Sequence, residues 1–154
     1  MQLVLILLVE MGATSASIPM DITTVAGHFE QPASRCDSSA DGSFEFCPAA
    51  AKDRLSIHRL TDDHARIIVH SYQEHGHECH VDGVANLLPA GLQYCLEHEP
   101  GTCLLLTEDA EGLRLKVTLD GAYYVPFCGS RASLDGLVFA KSARLGGGRC
   151  ESKP

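Results

Sequence analysis

A chain of 154 residues that is 45% apolar suffices for one domain with a modest core. Tryptophan is absent and aromatics make up 6%, so that core has to rest on Leu, Val, Ile and Ala. The formal charge of −8, with no cluster of Lys or Arg, argues against nucleic acid and suits solubility or a cationic partner.

The chain opens with the apolar run Leu3–Val9, followed by the small residues Gly12–Ser17. That is the outline of a secretory signal over residues 1–17, cleaved near Ala16 or Ser17, although no Lys or Arg precedes the run and Glu10 interrupts it. The run is too short to span a bilayer, so no membrane span is expected. The expected location is secreted or periplasmic.

Residues 18–47 read as an N-terminal strand and loop region, with the strand starting in Ile22-Thr23-Thr24-Val25 and running through Phe29. Asp37, Ser39, Asp41 and Gly42 imitate the start of a calcium loop, but position twelve is Pro48 where a bidentate Glu is needed. Residues 48–144 form the expected β core. Pro48 to Lys52 suggests one helical turn with Pro in first position. Period two follows: Leu55 and Ile57; Ala65, Ile67 and Val69; Cys79, Val81, Ala85 and Leu87; and Leu113, Leu115, Val117 and Leu119, each alternating with mostly polar residues. Turn residues separate these runs, among them Thr61-Asp62-Asp63, Pro89-Ala90-Gly91, Glu99-Pro100-Gly101 and Asp109 to Gly112. Asp135-Gly136 between Ala132–Leu134 and Leu137–Phe139 predicts a two-residue hairpin. Residues 145–154 are a Gly-rich tail. The fold class is therefore all-β: a single antiparallel sandwich or small barrel, stabilised by disulfides.

Seven cysteines, at 36, 47, 79, 95, 103, 128 and 150, are scattered rather than grouped in Cys-x-x-Cys pairs, the pattern of a disulfide framework in an exported chain. The count is odd, and Cys150 in the tail is the expected leftover. Cys36 and Cys47 bracket a loop that they can close locally. A Cys79–Cys103 bond closes a loop of about 25 residues, worth about 3 kcal/mol.

The alternating stretch His75-Gly-His77-Glu-Cys79-His80-Val81-Asp82 places His75, His77, Cys79 and Val81 on one face of a strand and Glu78, His80 and Asp82 on the other. His75, His77, Cys79 and His80 are an alternative metal set for zinc or copper. That option needs Cys79 reduced, which an oxidising compartment opposes, so no cofactor or metal is assigned. Paired acids such as Asp62-Asp63, Glu97/Glu99 and Glu108-Asp109 fall in turns and read as solvated surface groups. No nucleophile-elbow, zinc-protease or phosphate-loop motif is present, and no enzyme activity is expected.

From Cys79 onward the order is distinctive. Cys79 is followed by Gly83, then by Leu92-Gln93-Tyr94, then by Cys103, and an amphipathic hairpin leads to Cys128-Gly-Ser-Arg131-Ala-Ser-Leu-Asp135-Gly-Leu-Val-Phe139. Residues 50 to 143 resemble a group of small exported bacterial proteins, some of which are similar to periplasmic lysozyme inhibitors in size, export and β content. In that group a second cysteine stands four residues before the Cys-Gly, where this chain has Tyr124, which makes Cys95 the implied partner of Cys128. The resemblance implies a binding protein, with a lysozyme or other cationic hydrolase as partner. The candidate binding residues are Ser130 and Arg131 on the pinned loop, with the acids Asp109 and Asp135. The alternative is a small-ligand-binding barrel, or a metal-handling protein that uses the histidine strand.

Overall fold

A computed structural model describes residues 19–36, 50–73, 76–119, 126–129 and 132–146. Eight antiparallel strands follow one another as neighbours in a single nearly closed, barrel-like sheet. They are β1 (Gly27–Pro32), β2 (Lys52–Arg59), β3 (His64–Tyr72), β4 (Glu78–Leu88), β5 (Gly91–Leu96), β6 (Glu99–Glu108), β7 (Gly112–Thr118) and β8 (Val138–Ala140). The expected signal segment 1–17 lies outside the described residues, and no described helix is long and apolar enough to cross a membrane.

Period two in the sequence becomes inside and outside of the barrel. Leu55 and Ile57, then Ala65, Ile67 and Val69, then Cys79, Val81 and Ala85 are buried on β2, β3 and β4, with their intervening neighbours on the outer face. β6 and β7 add Leu104, Leu106, Leu113 and Leu115. Fully burying one such side chain contributes about 1.5–3 kcal/mol, so a core without tryptophan suffices when β2, β3, β4, β6 and β7 each supply two or three and β1, β5 and β8 add Phe29, Leu92 and Phe139.

Both ends of the barrel are stoppered. At one end a four-residue helix, α1 (Ile22–Val25), drops Ile22 and Val25 into the core. The β-branched run suggested strand here, but the Asp21 carboxylate accepts from the Thr23 N–H at 2.8 Å, the N-cap interaction that starts a helix; the strand begins at Gly27. At the other end Ala132, Leu134 and Leu137 are buried around the Asp135-Gly136 turn. That turn is present, with Leu137 N donating to Leu134 O at 3.1 Å, but it joins no two-stranded hairpin. Ala132–Leu134 runs as irregular chain with Ala132 and Leu134 buried in the core; Leu115 N donates to Leu137 O and Gly136 N to Leu115 O, both at 2.8 Å. Of the helical turn expected at Pro48–Lys52, Pro48 and Ala49 lie outside the described residues, and Lys52 already belongs to β2.

The edges β1 and β8 meet without a continuous ladder. The Gln31 side chain substitutes for one: its Nε2 donates to Val138 O at 2.7 Å and its Oε1 accepts from Ala140 N at 3.2 Å. Below it, Leu145 N donates to His28 O at 2.8 Å. Leu145, expected in a loose tail, is thus tied to β1.

Two disulfides lie wholly within the described residues, Cys79–Cys128 and Cys95–Cys103. The expected cysteines are bonded, but the expected pairs Cys79–Cys103 and Cys95–Cys128 do not form, and face parity explains it. Cys79 shares the inward set of Val81 and is fully buried, whereas Cys103 has the opposite parity to Leu104 and Leu106. Cys103 meets Cys95, its register partner across the β5–β6 hairpin, and Cys79 meets Cys128, opposite it in an antiparallel bridge. Cys36 is also held in a disulfide; its expected partner Cys47, and Cys150, lie outside the described residues.

Loop closure ranks the two bonds. Cys79–Cys128 spans 49 residues and Cys95–Cys103 spans 8. Cys79→Ala/Cys128→Ala should lower the unfolding free energy by about 4 kcal/mol and Cys95→Ala/Cys103→Ala by about 2.5 kcal/mol. Urea titrations of the two variants check this, and the reverse order would contradict it.

Candidate functional site

The segment that carries the sequence resemblance closes the second end of the barrel. Cys128 is bonded to Cys79, Gly129 N donates to Glu78 O at 3.1 Å, and His80 N donates to Phe127 O at 2.7 Å. Farther along, Asp135 Oδ1 accepts from Val117 N at 2.9 Å and Ser133 Oγ accepts from Asp135 N at 3.0 Å. The Arg35 guanidinium donates to the carbonyls of Ser133 and Asp135. Asp135 is thereby a fastener of the loop onto β7. Ser130 and Arg131 lie outside the described residues.

Asp109 is elsewhere. It sits in the β6–β7 turn, where Oδ1 accepts from Glu111 N and Gly112 N at 2.8 and 3.1 Å and Oδ2 accepts from Arg114 Nε at 2.9 Å. The Arg114 guanidinium, aided by those N–H groups, holds its carboxyl below the usual aspartate range. Asp109 fixes the start of β7 and Asp135 its far end, about 17 Å away along the strand. The structure does not bring these two candidate acids together.

Nor does it assemble the alternative metal set. Cys79 is in a disulfide facing the interior, while His80 is exposed on the outer face of the same strand, 6.3 Å ring to ring from His70. His77 lies against the position a side chain at Gly129 would fill, and His75 is outside the described residues. Adjacent strand residues point to opposite faces, so Cys79 and His80 cannot ligate one ion.

The cleft between β4 and β5 is the feature that sequence reading missed. β4 is eleven residues long, yet it pairs with β5 only through Asn86–Leu88. Above that short ladder the strands part and leave a cleft of about 610 Å³, lined by Asp82, Gly83, Val84 and the chain from Tyr94 to Glu99. Gly83 makes room for it: a Cβ there would fall 2.3 Å from the Tyr94 ring, so only glycine lets Tyr94 lie across β4. Val84 on the lip is 51% exposed, an unusual place for a valine. Three acids stand around it. Asp82 is forked by Arg66 at 2.8 and 2.7 Å, which holds its pKa low, Glu99 accepts from Thr102 Oγ1 at 3.4 Å, and Glu97 is exposed in the β5–β6 turn. The Cys95–Cys103 bond lies beneath and makes that wall rigid. A second pocket, of about 160 Å³ beside α1, is smaller than a typical small-molecule site. The described barrel interior is filled by side chains, with Leu55, Ile67, Leu104, Leu106, Leu134 and Phe139 all fully buried.

One buried polar group stands apart. Asp53 is fully buried at the Cys128 end of β2, beside the buried Ser71 and Gln73. Its Oδ2 accepts from Ser34 N at 3.2 Å, and among the described residues Oδ1 has no hydrogen-bond partner. Burial raises its pKa, and the neighbouring Ser71 and Ser34 donors only partly offset this.

No family model, curated protein or solved structure matches this chain.

A carboxyl whose pKa is higher folded than unfolded keeps its proton longer in the native state. Its presence therefore costs stability as pH climbs from the ordinary aspartate value, about 3.9, through the raised one. Asp53→Asn should gain stability relative to the parent over that interval, while below it the two differ by a constant amount. Paired urea titrations from pH 3 to pH 7 check this, and a pH-independent difference would contradict it.

Proposed function

We propose that the chain is an exported binding protein whose partner is a cationic protein, with a hydrolase of the lysozyme kind as the specific reading. The observation that carries it is the acidic cleft between β4 and β5, where Glu97, Glu99 and Asp82 surround the exposed Val84. An apolar centre inside a charged rim is the layout of a protein-recognition patch. With a formal charge of −8 the whole molecule attracts a cation, and complementary fields raise association rates most at low salt.

Two further observations support the reading. Each described cysteine is in a disulfide, which suits an oxidising compartment and withholds the thiolate that a nucleophile or metal site needs. The packed interior favours work done on the outside of the barrel over a ligand held within it. Asp109 and Asp135, engaged in fastening β7, contribute to the scaffold.

Lysis of bacterial cell walls by a cationic lysozyme, followed by turbidity, tests this directly. The protein should slow lysis, and more strongly at 50 mM than at 300 mM salt. Glu97→Gln/Glu99→Gln should weaken inhibition between about five- and thirtyfold, the range for a loss of one or two kcal/mol. Unchanged lysis with no binding at either salt would contradict the proposal.

A further inference from the structure

The pocket beside α1 lies at the mouth of the barrel, and its chemistry differs from that of the acidic surface around it. Val25, Phe29, Leu113 and Phe139, all buried, reach it from α1, β1, β7 and β8 and form an apolar floor. Gly112 lets the wall close behind them, since a Cβ there would fall 2.1 Å from Phe139 O. The rim is cationic. Lys141 and Arg144, at either end of the 3-10 turn after β8, stand against one acid, Glu108. Lys141 Nζ is 3.9 Å from Glu108 Oε1 and its side chain is 61% exposed, a loose pair that leaves the ammonium free to turn. The Arg144 guanidinium donates to Thr24 O at 2.7 Å and to Ala26 O, and lies 5.8 Å from the centre of the Phe29 ring. Those carbonyls hold it in place without cancelling its charge. On a chain of formal charge −8, this rim is a local inversion of sign.

Size narrows the occupant further. The space of about 160 Å³ is too small for a drug-sized molecule but matches one six-membered ring: a cavity of about 150 Å³ lined by Leu, Ile and Phe takes benzene. An apolar floor favours burial of such a ring, and a cationic rim favours a carboxylate on its outer edge. We propose that this pocket binds a small aromatic carboxylate. The ring lies on Phe29 and Phe139, and the carboxylate meets Lys141, turned away from Glu108, within the field of Arg144. The site is separate from the cleft between β4 and β5, so it neither rests on the cationic-partner reading nor supports it. A second copy of the chain is a poor occupant, since nothing wider than one ring enters and each copy carries a formal charge of −8.

The test titrates benzoate, benzamide and benzylamine into the whole chain at low salt and follows backbone and methyl shifts by NMR. Benzoate should bind saturably at millimolar concentration and shift Val25, Leu113 and Phe139. Benzamide, of the same shape without the charge, and benzylamine, of the opposite charge, should bind at least tenfold more weakly. Lys141→Ala should weaken benzoate about fivefold and Lys141→Arg should restore it, with thermal unfolding as the check that each variant folds. No saturable binding of benzoate to the parent chain would overturn the proposal, and so would equal binding of all three probes. Benzoate shifts confined to Tyr94–Glu99 would overturn the location. Benzoate binding that is the same in folded Lys141→Ala would overturn the role of the rim. Shifts at the three pocket residues that follow protein concentration rather than benzoate would give the pocket to a second copy and overturn the choice of occupant.

Discussion

A sheet that curls on itself must satisfy the backbone of each strand on both sides, yet at its seam with β5 the eleven-residue β4 pairs only through Asn86–Leu88. There a single covalent link, Cys79–Cys128, holds a stretch of irregular chain where a continuous ladder would otherwise run. Phe127 and Gly129 satisfy two residues of β4 because the disulfide sets them beside it. The loop from Cys128 onward then carries Leu134 and Leu137 into the core. Without the link, the end of the barrel and one wall of the seam would both lose their anchor.

The same seam explains the surface. Where β4 and β5 part, Val84 is left exposed, Tyr94 lies over Gly83, and the β5–β6 turn sets Glu97 and Glu99 beside the opening. Interior packing and proposed recognition thus come from one departure from regular pairing. The buried Asp53 is a separate strain near the same end, a carboxyl kept from water with only part of its hydrogen bonding met.

Much of the fold was legible because period two is a direct image of inside and outside. Ile67, Val81 and Leu115 were placed correctly from alternation alone, and most turns fell where Asp, Gly and Pro cluster. The disulfide pairing was not legible, since Cys103-Leu104-Leu105-Leu106 is a continuous apolar run that hides which face Cys103 takes. Asp21 marked a helix start that the β-branched Ile22–Val25 concealed. Asp135-Gly136 announced a turn, but whether Leu134 extends a hairpin or dives into the core depends on the space left by distant strands. The cleft has no local signature either. Gly83 and Tyr94 gain meaning only when β5 is known to cross β4 at that height, and Glu97 and Glu99 look like any turn acids until the seam beside them is seen.

The central claim is that the Cys79–Cys128 link fastens the Phe127–Gly129 segment to β4. Native-state amide hydrogen exchange, resolved residue by residue, tests it most directly. The N–H groups of His80 and Gly129, which donate to Phe127 O and Glu78 O, should exchange slowly in the parent and faster by orders of magnitude in Cys79→Ala/Cys128→Ala. Equal protection of both groups in the two proteins would contradict the account.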